Sequence, residues 1–208
     1  MLFDSPPQPT QNPVQLAPDF WLLRGFAAPE RLLTHVEDVS RAAPFRHMTV
    51  PGGKPMSVAM TNCGAWGWTA SQRGYAYTEH DPITGAAWPA MPTELAAFAQ
   101  QAAAQVGWSH FSPDACLINR YEAGAGMGLH QDRDERDLTQ PIVSVSLGAS
   151  CKFMVGGLKR TDSVTSVALH SGDVLVWGGA SRLVFHGVRP VSKASGTLRY
   201  NLTFRKAQ

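Results

Sequence analysis

Cysteine, charge and long apolar runs are all scarce in this 208-residue chain. There are three cysteines, Cys63, Cys116 and Cys151, far apart and without a C-x-x-C pair. That argues against a disulfide framework or a cysteine zinc site and predicts reduced core residues. Charged residues make up 16% of the chain and apolar ones 44%. Soluble domains carry roughly 25% charge, so neither a disordered chain nor a coiled coil fits. The net charge of +2 lacks the basic excess that alone would announce a nucleic-acid-binding protein. No window approaches the roughly 18 consecutive apolar residues of a membrane span, and no basic segment followed by an apolar one opens the chain. These absences predict a cytoplasmic protein with no membrane partner.

Turn-forming residues, by contrast, are plentiful, with 19 glycines and 15 prolines. Pro6, Pro7, Pro9 and Pro13 predict a flexible arm over residues 1–13, followed by one domain over 14–208. Leu32, Leu33, Val36 and Val39 recur at helical spacing between Pro29 and Pro44. A second helix is expected from about Pro92 to Val106, stopped by Gly107. Short strands then follow at brief intervals: Cys116–Tyr121, Gly128–Asp132, Ile142–Leu147, Lys152–Val155, Val164–Leu169, Asp173–Trp177 and Leu198–Arg205. The fold class is α+β, mainly β, a sandwich or barrel with two helices covering one face.

His130-Gln131-Asp132, together with a distant His186, is the strongest chemical signal. Residues two apart in a strand share a face, so His130 and Asp132 would present an imidazole and a carboxylate together, with His186 added from a neighbouring strand. Two histidines and one carboxylate suit non-haem Fe(II), which needs open positions for a co-substrate and O₂. H-x-D by itself also arises by chance. In the segment Leu198–Arg205, Arg199, Asn201, Thr203 and Arg205 share one face. That face either meets water at a sheet edge or lines a cavity in which arginine forks hold a dicarboxylate. Asn119 and Tyr121 share a strand face and would complete such a cavity.

These residues, in this order, resemble the AlkB family of Fe(II)- and 2-oxoglutarate-dependent dioxygenases. The resemblance runs through nearly the whole chain after the arm. It includes Pro51-Gly52-Gly53, the run from Met56 to Gly64, Trp88-Pro89-Ala90-Met91-Pro92, the run from Pro113 to Tyr121, and Gly156-Gly157-Leu158-Lys159-Arg160. It implies a double-stranded β-helix, or jelly roll, at about 113–208, with a nucleotide-recognition lid at about 45–90. It also implies that His130, Asp132 and His186 ligate iron, that Arg199 pairs with the far carboxylate of 2-oxoglutarate, and that Asn119, Tyr121, Asn201 and Arg205 complete that pocket. The implied reaction uses Fe(II), 2-oxoglutarate and O₂ to hydroxylate the methyl group of 1-methyladenine or 3-methylcytosine. Formaldehyde, succinate and CO₂ leave. The implied partner is alkylated single-stranded DNA, extending to double-stranded DNA and RNA, and the chain is expected to be a monomer.

Such a substrate needs aromatic surface for the extruded base and cations for phosphates. The segment from Trp66 to Tyr77 holds four aromatic residues and Arg73. Core packing is the plainer account of those rings, but the resemblance places Trp68 against the base opposite His130, and Tyr75 near a phosphate. It also places Asp134 at the alkylated base, where a carboxylate favours a methylated, cationic ring. The alternative for Asp134, Glu135 and Asp137 is a solvated acidic loop. Arg160 is expected at a phosphate by resemblance, or is otherwise an exposed turn residue; Arg133 and Lys54 are weaker candidates. His35, His47, His80, His110 and His170 lack ligand partners in the pattern. Gly126 and Gly128 stand where the family pattern carries lysine and serine, and Lys54 replaces an aromatic, which leaves lid geometry and DNA-versus-RNA preference open.

Overall fold

The computed structural model describes residues 12–208; residues 1–11, most of the expected arm, lie outside them. Helix α1 (Pro29–Ala42) starts on a proline whose fixed φ suits a first helical turn, and it buries Leu32, Val36 and Val39 along one stripe. It ends because Ala43 precedes Pro44, whose ring disfavours helical geometry, and Ala43 adopts φ −131° and ψ 94° instead. Helix α2 (Thr93–Ala104) buries Leu95, Ala99, Ala102 and Ala103, the three alanines being small enough to allow close approach to the sheet beneath. Both helices fall where their apolar spacing put them.

In chain order the first seven strands are β1 (Val14–Ala17), β2 (Phe20–Leu23), β3 (Arg46–Thr49), β4 (Pro55–Gly64), β5 (Gly67–Ser71), β6 (Gly74–Thr78) and β7 (Ala115–Glu122). The remainder are β8 (Met127–His130), β9 (Ile142–Gly148), β10 (Cys151–Val155), β11 (Thr165–Leu169), β12 (Val174–Trp177), β13 (His186–Val188) and β14 (Leu198–Arg205). An eight-stranded sheet runs β1-β2-β12-β9-β14-β7-β4-β3, a four-stranded sheet runs β11-β10-β13-β8, and β5 pairs with β6 alone. One face of the large sheet, with Val143, Val145, Leu202 and Phe204, packs on Leu32, Val36, Leu95 and Ala102 of the helices. The other face, with Leu117, Ile142, Leu175 and Trp177, packs on Phe153, Val155 and Val188 of the smaller sheet. This is the expected mainly β jelly roll with helices covering one side.

Three details differ from the sequence reading. The large sheet takes in β1 to β4, so it reaches well outside residues 113–208. Seven consecutive residues of β4 are buried, because that part of the strand is covered on both faces, and such a strand has no alternating pattern to detect. β13 is only three residues long and gives no periodic signal. Finally, β8 ends at His130, so Asp132 lies in the irregular segment beyond it and reaches the same site from a strand end rather than by alternation.

The β5–β6 hairpin is fixed from behind. Asn62 of β4 receives the Trp68 amide and donates to the Trp68 carbonyl, both at 3.0 Å. Gly67 faces the Trp88 indole so closely that a Cβ there would overlap the ring. Trp88 donates its Nε1–H to the Thr78 carbonyl at 2.9 Å, and the Arg46 guanidinium lies 5.5 Å over its ring. Arg46 in turn forms a two-pronged ion pair with Asp81, at 2.6 and 2.7 Å.

Candidate active site

His130 at the end of β8 and His186 at the start of β13 are paired across the smaller sheet. Their rings stand 4.4 Å apart, centroid to centroid. His130 Nδ1 lies 2.9 Å from the Gly128 carbonyl and His186 Nδ1 lies 3.1 Å from the Val184 carbonyl. A carbonyl only accepts, so each Nδ1 carries the proton and each Nε2 keeps a free lone pair, the arrangement typical of a metal-binding histidine. Both Nε2 atoms approach Asp132, His130 at 3.6 Å from Oδ1 and His186 at 3.8 Å from Oδ2. One ligand atom from each of the three residues falls within 4.8 Å of the others, and among the described residues no other cluster of this kind occurs. Two imidazoles and one carboxylate, converging from one side, form a donor set that fits Fe(II).

Asp132 is held by Arg205, whose Nη2 and Nε both donate to Oδ2 at 2.7 and 3.1 Å. Burial would raise the carboxyl pKa, but Arg205, with help from His186 and His130, overrides it and keeps the group well below the ordinary carboxylate range. Burial also pushes the His186 pKa down to about 4, with His130 acting in the same direction. At neutral pH the pair is therefore an anionic oxygen ligand beside a neutral nitrogen ligand.

The triad opens into a cavity of about 490 Å³ whose walls include Trp68, Tyr75, Asn119, Tyr121, Asp134, Arg160, Asn201 and Arg205. β14 and β7 build its floor, with Asn201 opposite Asn119 and Arg199 opposite Tyr121. Asn201 donates to Ser144 Oγ at 2.8 Å and to the Val145 carbonyl at 3.0 Å. Arg199 is the one expected site residue that does not line the open cavity. It is 1% exposed, and its guanidinium lies 4.8 Å over the Tyr121 ring. It donates to Ser146 Oγ at 3.0 Å, while its Nε and Nη1 have no partner. A buried cation with two unsatisfied donors is costly without an anion, so this orphaned fork fits the far carboxylate of a dicarboxylic acid. Asn119 Oδ1 is likewise buried without a partner.

At the mouth, Trp68 and Tyr75 stack with centroids 5.4 Å apart and planes at 17°. Tyr75 is 48% exposed. Trp68 Nε1 donates to Asp134 Oδ2 at 2.9 Å. Arg160 is exposed, its guanidinium 4.9 Å over the Phe185 ring, and Arg133 and Lys54 are exposed as well. Gly126 bonds Ser57 Oγ through both its amide and its carbonyl, and a side chain there would press on Val188 O and Pro190 N at 3.0 Å; a Cβ at Gly128 would meet open space.

Several residues of the site escaped the sequence reading. Glu135, in the run that allowed a solvated acidic loop, is 6% exposed and bonds Tyr77, Arg182 and Arg205. Ser144 and Ser146 are hydrogen-bond partners of Asn201 and Arg199. Their signal was two hydroxyls alternating within the otherwise apolar strand Ile142–Leu147. The remaining histidines stay outside the triad: His35 meets Glu94, His47 meets the Met56 carbonyl and His170 meets Ser150.

The profile of the 2OG-Fe(II) oxygenase superfamily matches residues 19–205. The chain is 52% identical over 206 residues to "Alpha-ketoglutarate-dependent dioxygenase AlkB" of Escherichia coli, covering 96% of this chain and 94% of that protein. It is 40% identical over 97 residues to "Nucleic acid dioxygenase ALKBH1" of Mus musculus, covering 47% of this chain and 25% of that protein. Among solved structures, that of OsALKBH1 superposes with a TM-score of 0.79 at 28% identity, covering 93% of this chain and 99% of the other. Matches of that extent, on a chain that brings two histidines and an aspartate together beside an orphaned arginine fork, make it a member of the AlkB family of the 2OG-Fe(II) oxygenase superfamily, a dioxygenase that uses Fe(II), 2-oxoglutarate and O₂.

Proposed function

We propose that the chain is an oxidative demethylase that repairs N-alkylated bases, 1-methyladenine and 3-methylcytosine, in single-stranded DNA, with double-stranded DNA and RNA as further substrates. It works as a cytoplasmic monomer with a single catalytic domain, residues 14–208, in which residues from about 45 to 90 form a nucleotide-recognition lid on the jelly-roll core. The observation that carries this reading is the pairing of an aromatic stack with a carboxylate, Trp68 and Tyr75 beside Asp134, at the mouth of the cavity that holds the triad. A flipped base needs a flat apolar face to replace lost stacking, and a methylated base bearing positive charge gains from a nearby anion. The AlkB identity and the name of the mouse relative support nucleic acid as the substrate class. Only six large hydrophobic residues are exposed among the described residues, Ile83 and Leu158 the most, which supports a monomer. Three free, buried cysteines agree with a reducing compartment.

His130, Asp132 and His186 hold iron(II) in this reading, and Arg199 takes the far carboxylate of 2-oxoglutarate, with Asn119, Tyr121, Asn201 and Arg205 around the rest of that molecule. When bound, the metal and co-substrate together with O₂ supply the oxidising equivalents that insert oxygen into a methyl C–H bond. With O₂ as oxidant, the products would be succinate, CO₂ and an N-hydroxymethyl group on the base. The C–N bond of that group then breaks, its electron pair returns to the ring nitrogen and neutralises the base, the hydroxyl proton is released to water, and formaldehyde departs. Trp68 holds the base on the side opposite His130, Asp134 meets its charged edge, and Tyr75 and Arg160 contact flanking phosphates. Burial raises the Tyr121 pKa, against the pull of Arg199, so the phenol stays neutral beside the co-substrate anion.

The test is mass spectrometry of a single-stranded oligonucleotide containing one 3-methylcytosine, incubated with protein, Fe(II), 2-oxoglutarate and ascorbate, with omission controls. Methyl loss only in the complete mixture is expected. Succinate formed over an unchanged oligonucleotide would refute the substrate while keeping the oxygenase.

A further inference from the structure

The β5–β6 hairpin belongs to neither large sheet, yet two side chains from a single rung reach past it to the segment that follows Asp132. Trp68 and Tyr77 are directly opposed. Trp68 bonds Asp134, and the Tyr77 hydroxyl donates to Glu135 Oε1 at 2.6 Å. Glu135 Oε1 also lies 3.3 Å from Arg205 Nε, the nitrogen that donates to Asp132 Oδ2 at 3.1 Å. Glu135 Oε2 accepts from Arg182 Nη2 at 2.9 Å, and Arg182 Nη1 donates to the backbone carbonyl of Asp132 at 2.6 Å. Two carboxylates and two guanidinium groups thus close a neutral ring around Asp132, each residue 9% exposed or less. The half-buried Tyr77 joins this ring from the hairpin, through its bond to Glu135.

From this geometry we infer that Tyr77 is a positioning residue for the metal centre: by occupying Glu135 it leaves Arg205 to Asp132, and so fixes which Asp132 oxygen faces the metal. The argument is one of competition. Arg205 Nε lies between two carboxylates, 3.1 Å from one and 3.3 Å from the other. The Tyr77 hydroxyl uses part of the accepting capacity of Glu135 Oε1. Without it that oxygen draws Arg205 more strongly, and Asp132 loses one of the two bonds that tether Oδ2 and thereby hold the carboxylate plane with Oδ1 toward His130 and Oδ2 toward His186. A hydrogen bond in a dry, charged network has larger effects than one at the surface. The inference rests on the triad being the metal site, and it adds to that site a residue more than fifty positions away in sequence.

Cobalt(II), which binds nitrogen and oxygen donors without turnover, gives a readout independent of activity. The full chain, freed of metal, is titrated with cobalt(II) in the presence of 2-oxoglutarate, following the visible absorption band. Tyr77→Phe keeps the ring and removes one hydroxyl. Outer partners of metal ligands typically change affinity 10- to 100-fold, and Tyr77 acts one step further out. Tyr77→Phe is therefore expected to weaken cobalt(II) roughly 3- to 10-fold and to shift the band. Glu135→Gln supplies the second variant, and the double variant is expected to lose no more than the larger single loss, because both act through Arg205. Wild-type cobalt affinity and an unshifted band in folded Tyr77→Phe would overturn the inference, as would additive losses in the double variant. Asp132→Ala separates the two claims: cobalt binding that survives it would overturn the triad itself and the inference with it.

Discussion

The indole N–H of Trp68 and the carboxylate of Asp134 are joined by a 2.9 Å hydrogen bond across the mouth of the cavity. This orients an otherwise exposed carboxylate at the edge of the aromatic face proposed for the base. Asp134→Asn preserves an acceptor for Trp68 and removes the negative charge. The expected outcome is about a tenfold fall in kcat/KM on cationic 1-methyladenine, of the order of one charge-assisted hydrogen bond, with a smaller fall on a neutral N-methylated base such as 3-methylthymine. Paired kinetics on the two oligonucleotides check this; equal losses would remove Asp134 from base selection.

Asp132→Ala deletes an anionic ligand and leaves Arg205 as an unpaired buried cation. Turnover is expected to fall below detection, together with loss of iron binding measured by equilibrium dialysis. Demethylation at a wild-type rate would sink the metal assignment.

Arg199 tests the co-substrate site. Its free Nε and Nη1 should distinguish 2-oxoglutarate from a 2-oxo acid that lacks the far carboxylate, such as 2-oxobutyrate. Hydrogen bonds to charged groups are worth about 1.5–3 kcal/mol each. Arg199→Ala is therefore expected to raise the KM for 2-oxoglutarate by roughly 10- to 100-fold and to erase the preference between the two acids. Retained preference would place the carboxylate elsewhere.

Asp81 gives the anchor of the hairpin a pH dependence. Burial opposes its ionisation, but Arg46 and the Ile83 amide prevail and hold its pKa below the ordinary value. A depressed folded-state pKa contributes stability that is complete above the unfolded value, about 4, and is lost as pH falls through the folded one. The stability gap between the wild type and Asp81→Asn, measured by urea unfolding, should be constant from pH 7 to about 5 and narrow below about 4. A gap that widens on acidification would contradict the sign.

Gly67→Ala adds a methyl where the Trp88 indole already sits. Overpacking typically costs about 1–3 kcal/mol, and here it should also displace Trp68, the next residue. Lower stability together with weaker binding of a methylated oligonucleotide is expected; unchanged values for both would show that Trp88 yields freely.

Legibility of the fold in the sequence followed periodicity. α1 and α2 were visible because each is half-covered and its apolar residues recur at helical spacing. β14 was visible because polar and apolar residues alternate along it, and it runs over the expected Leu198–Arg205. β4 was silent because an interior strand covered on both faces loses alternation. In the site, His130, Asp132 and His186 gave only a weak signal by residue type and spacing, and the family resemblance turned it into a metal-site expectation. The reason given for their meeting was partly wrong, since Asp132 lies beyond the strand end. Glu135 was unreadable for a different reason: a charged residue among charged neighbours looks solvated, and only the tertiary arrival of Tyr77, Arg182 and Arg205 makes it a buried one.

The place of β14 in the large sheet, between β9 and β7, bears on synthesis as well as on chemistry. β9 and β7 emerge from the ribosome earlier, but each must wait for the Leu198–Arg205 segment before its facing edge is paired. Until then the nascent chain exposes two open edges, the kind of surface on which chains join wrongly. The same late segment delivers Arg199 and Arg205. A truncated or half-made chain therefore lacks both the clasp of the sheet and the two arginines proposed for the co-substrate pocket, so on that proposal an unfinished product could not take up 2-oxoglutarate and generate oxidant in the wrong place.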